Sequence, residues 1–446
     1  MSAPRRVVLL TGATGFVGKV VLEALLRRRE ELGIERVLAL VRAQDPEHAD
    51  ARFRADVVSS PCFAAHAPGW EKRVEAVAGD VTRPGLGLAP EVRARVQAEA
   101  THVVHCAASV EFTLPLAEAL AVNTQGALHA LELSRSCARV ESYVGVSTAY
   151  VTPHPAPYDG DIPRIEEVLA PLAQDADALF ASLRAKAWSE EEERALLAET
   201  GHPNTYTLTK CLAEHLVARR AGDLPVTLVR PSIVSACRTH PQPGWIDSAA
   251  AFAGFVALIG AGRLRVVAGD PDARLDVVPC DAVAERIVQA AFAPPVRGAL
   301  RIEHAVAGLD GALPIRLCRE RIVSHFTRNP VGGRARVDFV GSPGPLFRAA
   351  HALRHELPAR AASLWLTWRG QLRGVRAVQK LLERIRSIHG DFAYFTHATF
   401  DFASSVPLEP ALEPSPYLDL VCAGVARHLL QRERRRGAQE RGGAGS

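Results

Sequence analysis

Lysine is scarce in this chain. Of 53 Lys and Arg residues, only Lys19, Lys72, Lys186, Lys210 and Lys380 are lysine, and Met1 is the single methionine. With abundant alanine, this reads as GC-rich coding bias, so the arginine excess carries no functional weight by itself. The net charge of +4 over 446 residues is modest and makes no case for nucleic acid. Cys62, Cys106, Cys137, Cys211, Cys237, Cys280, Cys318 and Cys422 are scattered, with no C-x-x-C pair and no zinc-site spacing to histidine. That excludes a structural zinc motif, and no metal is expected. A reduced, cytoplasmic protein is the expectation. No signal-peptide pattern is present, since the first residues lead straight into a strand-like run. The longest apolar run, Ala249–Gly262, has 14 residues, short of the roughly 20 that a spanning helix needs.

What is there is ordinary globular composition, 48% hydrophobic and 23% charged. The length allows two or three domains. Strand-like runs at Arg6–Leu10, Arg36–Val41, Val74–Val77, His102–His105, Tyr143–Ser147 and Val226–Val229 alternate with helical faces at Lys19–Arg29, Leu116–Ala138 and Tyr206–Arg220. One more strand is expected within Pro294–Ala307. This rhythm predicts an α/β fold, a doubly wound parallel sheet of Rossmann type with a smaller, mainly helical C-terminal domain. The expected divisions are a nucleotide-binding domain over 1–300 and an inserted excursion at 153–203. A linker or part of the substrate region follows at 301–344, then a helical domain at 345–431 and a disordered tail at 432–446. Leu346–Ile388 carries nine basic residues against Glu356 and Glu383. With Trp365 and Trp368 it suggests either a solvated basic face or a peripheral contact with an anionic membrane surface.

Thr11-Gly12-Ala13-Thr14-Gly15-Phe16-Val17-Gly18 places glycines in a G-x-x-G-x-x-G spacing between a strand and a helix. That context makes a glycine motif a phosphate cradle. Gly12 permits the turn, Gly15 lets the backbone approach a pyrophosphate, and Gly18 allows close packing. The helix N-terminus then offers free N–H groups and a positive dipole end. The second strand ends at Val41-Arg42 with no acid before Asp45, whereas NAD selection uses an acid there. An arginine suits the 2′-phosphate of NADP, so NADPH is the expected cofactor. Small residues at Cys106-Ala107-Ala108, after the fourth strand, let the backbone lie against the nicotinamide side. Thr11, Thr14, Phe16, Asn123 and Pro231 join Gly12, Gly15, Gly18, Arg42 and Ala107 as cofactor-binding candidates. So does Asp80, which equally reads as a turn cap.

Tyr206 and Lys210 stand in a Y-x-x-x-K spacing at the head of a helix, on one face. A free tyrosine, with a pKa near 10, is a poor acid–base group at neutral pH, and a nearby ammonium is expected to lower it. Lys210 is also one of the five lysines in an arginine-rich chain, as if a compact ammonium were required. Both residues are also counted as cofactor contacts. Thr148, at the end of the fifth strand, is the expected hydroxyl partner, with Ser147 as the near alternative.

Val146-Ser147-Thr148-Ala149-Tyr150, Pro203-Asn204-Thr205-Tyr206-Thr207 with Lys210, Val229-Arg230-Pro231-Ser232-Ile233-Val234, Gly244-Trp245-Ile246-Asp247 and Asp276-Val277-Val278-Pro279-Cys280-Asp281 occur in collinear order. This series resembles the fatty acyl-CoA reductases of the male-sterility type, a branch of the extended short-chain dehydrogenase/reductases. Weaker likeness continues at Phe392–Phe402. The resemblance implies NADPH-dependent reduction of a long-chain acyl thioester, on CoA or an acyl carrier protein, to aldehyde or alcohol. It also implies that an Asp at position 80 contacts the adenine. Two other readings stand beside it, a sugar-nucleotide epimerase or dehydratase on the same fold and a non-enzymatic NADP sensor. A sensor has no need of the Tyr206/Lys210 pair. A hydrolase is discounted because Gly145–Ala149 fails G-x-S-x-G at its last position.

Overall fold

The computed structural model describes residues 5–153, 162–341 and 344–432, with side chains outside 387–393. Residues 154–161 of the 153–203 excursion and nearly all of the 432–446 tail lie outside the described residues, as do the side chains of Phe392 and Ala393 in the Phe392–Phe402 run.

Seven strands form one parallel sheet. They are β1 (Arg6–Thr11), β2 (Ile34–Arg42), β3 (Val74–Gly79), β4 (His102–His105), β5 (Ser142–Val146), β6 (Val226–Pro231) and β7 (Leu300–Ala305). Their spatial order is β3-β2-β1-β4-β5-β6-β7. Val8, Leu9 and Leu10 of β1 and Val103 and Val104 of β4 have no solvent exposure, as expected of strands covered on both faces. Eleven helices matter below. They are α1 (Phe16–Arg27), α2 (Gly126–Arg135), α3 (Ala176–Ala185), α4 (Glu190–Thr200), α5 (Thr205–Arg220), α6 (Ala251–Gly260), α7 (Cys280–Phe292), α8 (Ile315–Arg328), α9 (Leu357–Trp368), α10 (Leu372–Thr396) and α11 (Pro414–Gly424). α1 and α7 cover one face of the sheet. α2, α3 and α5 cover the other. The strand order reverses between β1 and β4, which opens a crevice at the strand carboxyl ends.

The sheet ends at Ala305, so a division at residue 300 falls at the first residue of its last strand. The segment 301–344, expected as a linker or part of the substrate region, carries regular structure. Its α8 buries Ile315, Cys318, Ile322 and Phe326, a helical face at spacings of three and four. Leu313–Pro314 pairs antiparallel with Arg274–Leu275, and Asp338–Phe339 pairs parallel with Val266–Val267. α8 shares one core with α6, α11 and Phe395–Phe402. The second unit is therefore assembled from three stretches of chain rather than from the C-terminus alone. Gly244 and Gly424 show how closely they meet, because a Cβ on Gly424 would lie 2.0 Å from the Gly244 carbonyl oxygen. Among the described residues no helix is long and apolar enough to cross a membrane.

Candidate active site

The glycine turn sits where β1 enters the crevice. Gly12 adopts φ +77°, and a Cβ there would lie 2.7 Å from the Ala107 nitrogen. Only glycine fits that approach. At Gly18 a Cβ would come within 2.0 Å of the Gly12 carbonyl oxygen, so the third glycine lets α1 seat against the turn. Gly15 differs. Its Cβ would meet only the Gly12 carbonyl oxygen, at 3.3 Å, so protein packing does not demand a glycine there. It is also the N-cap of α1 and supplies no side-chain cap, leaving the first-turn N–H groups available to an anion. A pyrophosphate fits this cradle.

Thr11 is fully buried beneath the turn. Its Oγ1 lies 2.9 Å from His105 Nδ1 and accepts from the Ala107 N–H at 3.1 Å. It ties the ends of β1 and β4 together. Asn123 is buried in a π-helical turn, Leu120–Gln125, between a short helical stretch and α2. It accepts from the Ser109 N–H and donates to Thr209 Oγ1. It thus fixes the loop after β4 against α5. Asp80 Oδ1 accepts from both the backbone N–H and the hydroxyl of Thr82, which is the turn-cap arrangement. Arg42 is exposed at the carboxyl end of β2.

A cavity of about 480 Å³ opens beside the turn. Gly12, Gly15, Phe16, Gly18, Ser147, Thr148, Tyr206, Lys210 and Pro231 all line it. Thr11, Thr14, Arg42, Asp80, Ala107 and Asn123 do not. Sequence reasoning missed Phe112, Arg384 and Phe395, which also line it. Phe112 lies 5.8 Å from the Tyr206 ring and 6.0 Å from Phe395, centroid to centroid. Of the apolar run after Gly244, only Ala249, Ala250, Ala251 and Gly254 reach the cavity, while Phe252 and Val256–Gly260 are core. Trp245 is buried and packs on Phe16 at 5.4 Å.

Asn204 starts α5 by accepting from the Thr207 N–H at 2.9 Å. That cap sets Tyr206 in the first turn and Lys210 one turn later. Lys210 Nζ donates to the Val146 carbonyl at 2.7 Å, and burial pushes its pKa down to about 8, opposed by Glu214. Burial pushes the Tyr206 phenol up to about 12, opposed by hydrogen bonding with the Thr148 hydroxyl. The direction for Tyr206 is thus set by burial, which disfavours the phenolate, and not by Lys210, whose ammonium is turned toward the end of β5. Thr148 Oγ1 also accepts from the Tyr150 N–H and donates to the Pro231 carbonyl at 3.5 Å. Ser147 Oγ is buried at the cavity wall with no hydrogen-bond partner among the described residues.

Two more groups brace this site. Arg230 and Glu214 form a buried bidentate ion pair, Nε to Oε1 at 2.9 Å and Nη2 to Oε2 at 2.6 Å. Buried Asp276 accepts from Ser232 Oγ and from the Ala307 and Gly308 N–H groups, and burial raises its pKa to about 6. The folded protein therefore binds this proton more tightly than the unfolded chain, whose carboxyl titrates near 4. Its contribution favours folding below about pH 4 and is lost as pH rises through about 6. We expect the wild-type-minus-Asp276→Asn difference in unfolding free energy to shift by about 2 kcal/mol between pH 4.5 and 7.5. Urea titrations at both pH values measure it, and a pH-independent difference would refute the assignment.

A family model described as male sterility protein matches residues 10–287, which include the cradle, α5 and β6. The chain belongs to that family. Among relatives, fatty acyl-CoA reductase 1 of Gallus gallus is 31% identical over 455 residues, covering 96% of this chain and 85% of that protein. Fatty acyl-CoA reductase wat of Drosophila melanogaster is 32% identical over 291 residues, covering 64% of this chain and 54% of its own length. Among solved structures, the terminal R domain from the myxalamid PKS-NRPS pathway superposes with a TM-score of 0.64 at 20% identity, covering 96% of this chain and 92% of that one. The chain thus shares that domain's fold, and the family binds a nicotinamide dinucleotide. Phe395 was legible only as part of an aromatic run, and Arg384 only as one arginine among many.

Proposed function

We propose that this protein is an NADPH-dependent reductase of long-chain acyl thioesters, yielding an aldehyde or an alcohol. The observation that carries the reading is one cavity shared by the dinucleotide cradle, the Thr148–Tyr206–Lys210 set and the aromatic pair Phe112 and Phe395. NADPH, held by the Gly12–Gly18 turn and the first turn of α1, supplies hydride when bound. The chain's own residues handle the proton and the charge. Thr148 and Tyr206 offer two hydroxyls to the carbonyl oxygen as it becomes an oxyanion, where preorganised donors contribute most. A phenol held at about 12 is protonated at neutral pH, the form required of a general acid in the reducing direction. Lys210 places a cation behind Tyr206 and is a candidate for the nicotinamide ribose. The Ser147 hydroxyl, without a hydrogen-bond partner among the described residues, is a third donor at the same wall. Phe112 and Phe395 give the acyl chain an apolar wall.

The test combines purified protein, NADPH or NADH, and acyl-CoA and acyl carrier protein thioesters of graded chain length, following absorbance and products. Acyl-dependent NADPH oxidation with aldehyde or alcohol release is expected, and its complete absence overturns the reading. A sugar-nucleotide epimerase would instead retain NAD and turn over without net oxidation. The eight free cysteines suit a reducing, cytoplasmic setting.

Arg42 carries the NADPH preference, and Asp80, beyond β3, is the adenine candidate. Arg42→Ala is expected to lower the kcat/KM ratio of NADPH over NADH by roughly ten- to a hundredfold, as suits the loss of a guanidinium–phosphate pair. An unchanged ratio would refute its role.

A further inference from the structure

α9 is a helix that buries nothing. None of its twelve residues is buried, although Leu357, Leu364, Trp365 and Trp368 recur along it. These four side chains are exposed, Leu364 at 73% and Trp368 at 82%, while Leu366 lies against Gly374 of α10. The stripe extends in both directions along the chain. Leu346 is 80% exposed ahead of α9, and Leu372, the first residue of α10, is also exposed. Globular proteins rarely leave so many large apolar groups together in water.

The charges around this stripe are mostly basic, nine against Glu356 and Glu383 within Leu346–Ile388. Asp338 holds Arg354, and Glu356 holds Arg386 at 3.0 Å and Arg360 at 3.8 Å. Arg369, Arg373, Arg376 and Lys380 form no ion pair among the described residues. Arg369 lies over the Trp365 ring at 4.6 Å. Tryptophan beside arginine at the tip of a helical hairpin matches the chemistry of a bilayer interface, with rings among the headgroups and guanidinium groups on lipid phosphates. A second copy of this face would bring like charges together, whereas an anionic lipid surface complements them.

We propose that the α9–α10 hairpin docks in the plane of an anionic bilayer. The placement also serves the cavity. α10 spans about 37 Å, and Arg384 lies about 18 Å along it from Leu372. Arg384 donates to the Ala249 carbonyl at the cavity wall, and Phe395, one helix end further, lines the same cavity. The arm that meets the lipid thus forms part of the rim through which an acyl chain would enter. The surface is argued without the reductase reading, so vesicle binding and thioester reduction stand or fall separately.

The experiment floats the full-length protein with vesicles of phosphatidylcholine alone or mixed with phosphatidylglycerol. Salt-sensitive binding to the mixed vesicles is expected, together with quenching of wild-type tryptophan fluorescence by brominated lipid. Trp365→Ser with Trp368→Ser should weaken partitioning at least tenfold. Arg369→Gln, Arg373→Gln and Arg376→Gln together should weaken it roughly a hundredfold at low salt. Both variants should keep wild-type turnover of a dissolved acyl-CoA. Three results would overturn the proposal. They are wild-type protein that ignores both vesicle types, fluorescence that brominated lipid leaves unquenched, and a wild-type dimer that the tryptophan variant dissociates without any lipid binding.

Discussion

Replacing Tyr206 with phenylalanine is expected to lower acyl-dependent NADPH oxidation by roughly two to four orders of magnitude, the usual worth of a positioned general acid. The change removes one oxygen and leaves the helix that carries it intact. Asn204 still caps α5, Lys210 still donates to the Val146 carbonyl, and Phe112 still packs on the ring. NADPH affinity, read by fluorescence titration, should therefore stay within a few-fold of wild type. The loss should appear mainly in kcat, because the missing hydrogen bond strengthens as the oxyanion forms. Ser147→Ala should cost less, since Ser147 faces the wall without contacting Tyr206 or Thr148 among the described hydrogen bonds. If Tyr206→Phe keeps turnover within about tenfold of wild type, the proton comes from another group and the assignment fails.

The elements read best from sequence were those with a strong local signature. RVVLL followed by spaced glycines marks a strand entering a tight turn, and the clashes a Cβ would make at Gly12 and Gly18 show why side chains are forbidden there. The Y-x-x-x-K pair was legible because a helix brings positions four apart onto one face. What was not legible depends on contacts distant in sequence. The hydrogen bonds of Asn123, a cofactor candidate by sequence, could not be read, because a π-turn directs it at Ser109 and Thr209. The direction of the Tyr206 shift could not be read either. Spacing shows that an ammonium is near, but only the fold shows how thoroughly water is excluded. The helix at Ile315–Arg328 was harder to read. Ile315, Cys318, Ile322 and Phe326 already trace one helical face, which the surrounding glycines and prolines obscured.

Breaking the Arg230–Glu214 pair is expected to produce the largest stability loss of any single substitution considered. The two side chains are 0% and 2% exposed, and Arg230 sits in the V-R-P-S stretch of β6. One guanidinium joins four segments. It holds Glu214 of α5 through two bonds, the Val168 carbonyl through Nη2 at 2.8 Å, and His304 Nε2 of β7 through Nη1 at 3.5 Å. Burial lowers the pKa of His304, so the neutral ring donates from Nδ1 to the Ala403 carbonyl and accepts at Nε2. Arg230→Met strands the buried Glu214 carboxylate without its bidentate partner, which typically costs about 3–5 kcal/mol. Arg230→Met with Glu214→Leu removes both charges and should recover a large part of that loss, because a well-packed apolar pair can replace a buried ion pair. Chemical denaturation of the two variants measures the difference. The catalytic consequence follows from the helix. Tyr206, Lys210 and Glu214 lie at successive four-residue steps of α5, so the anchor at Glu214 holds the turn that aims the other two. The double variant should therefore recover stability more fully than it recovers kcat. An Arg230→Met protein within about 1 kcal/mol of wild type would show that water reaches the carboxylate and that α5 is held by its apolar face alone.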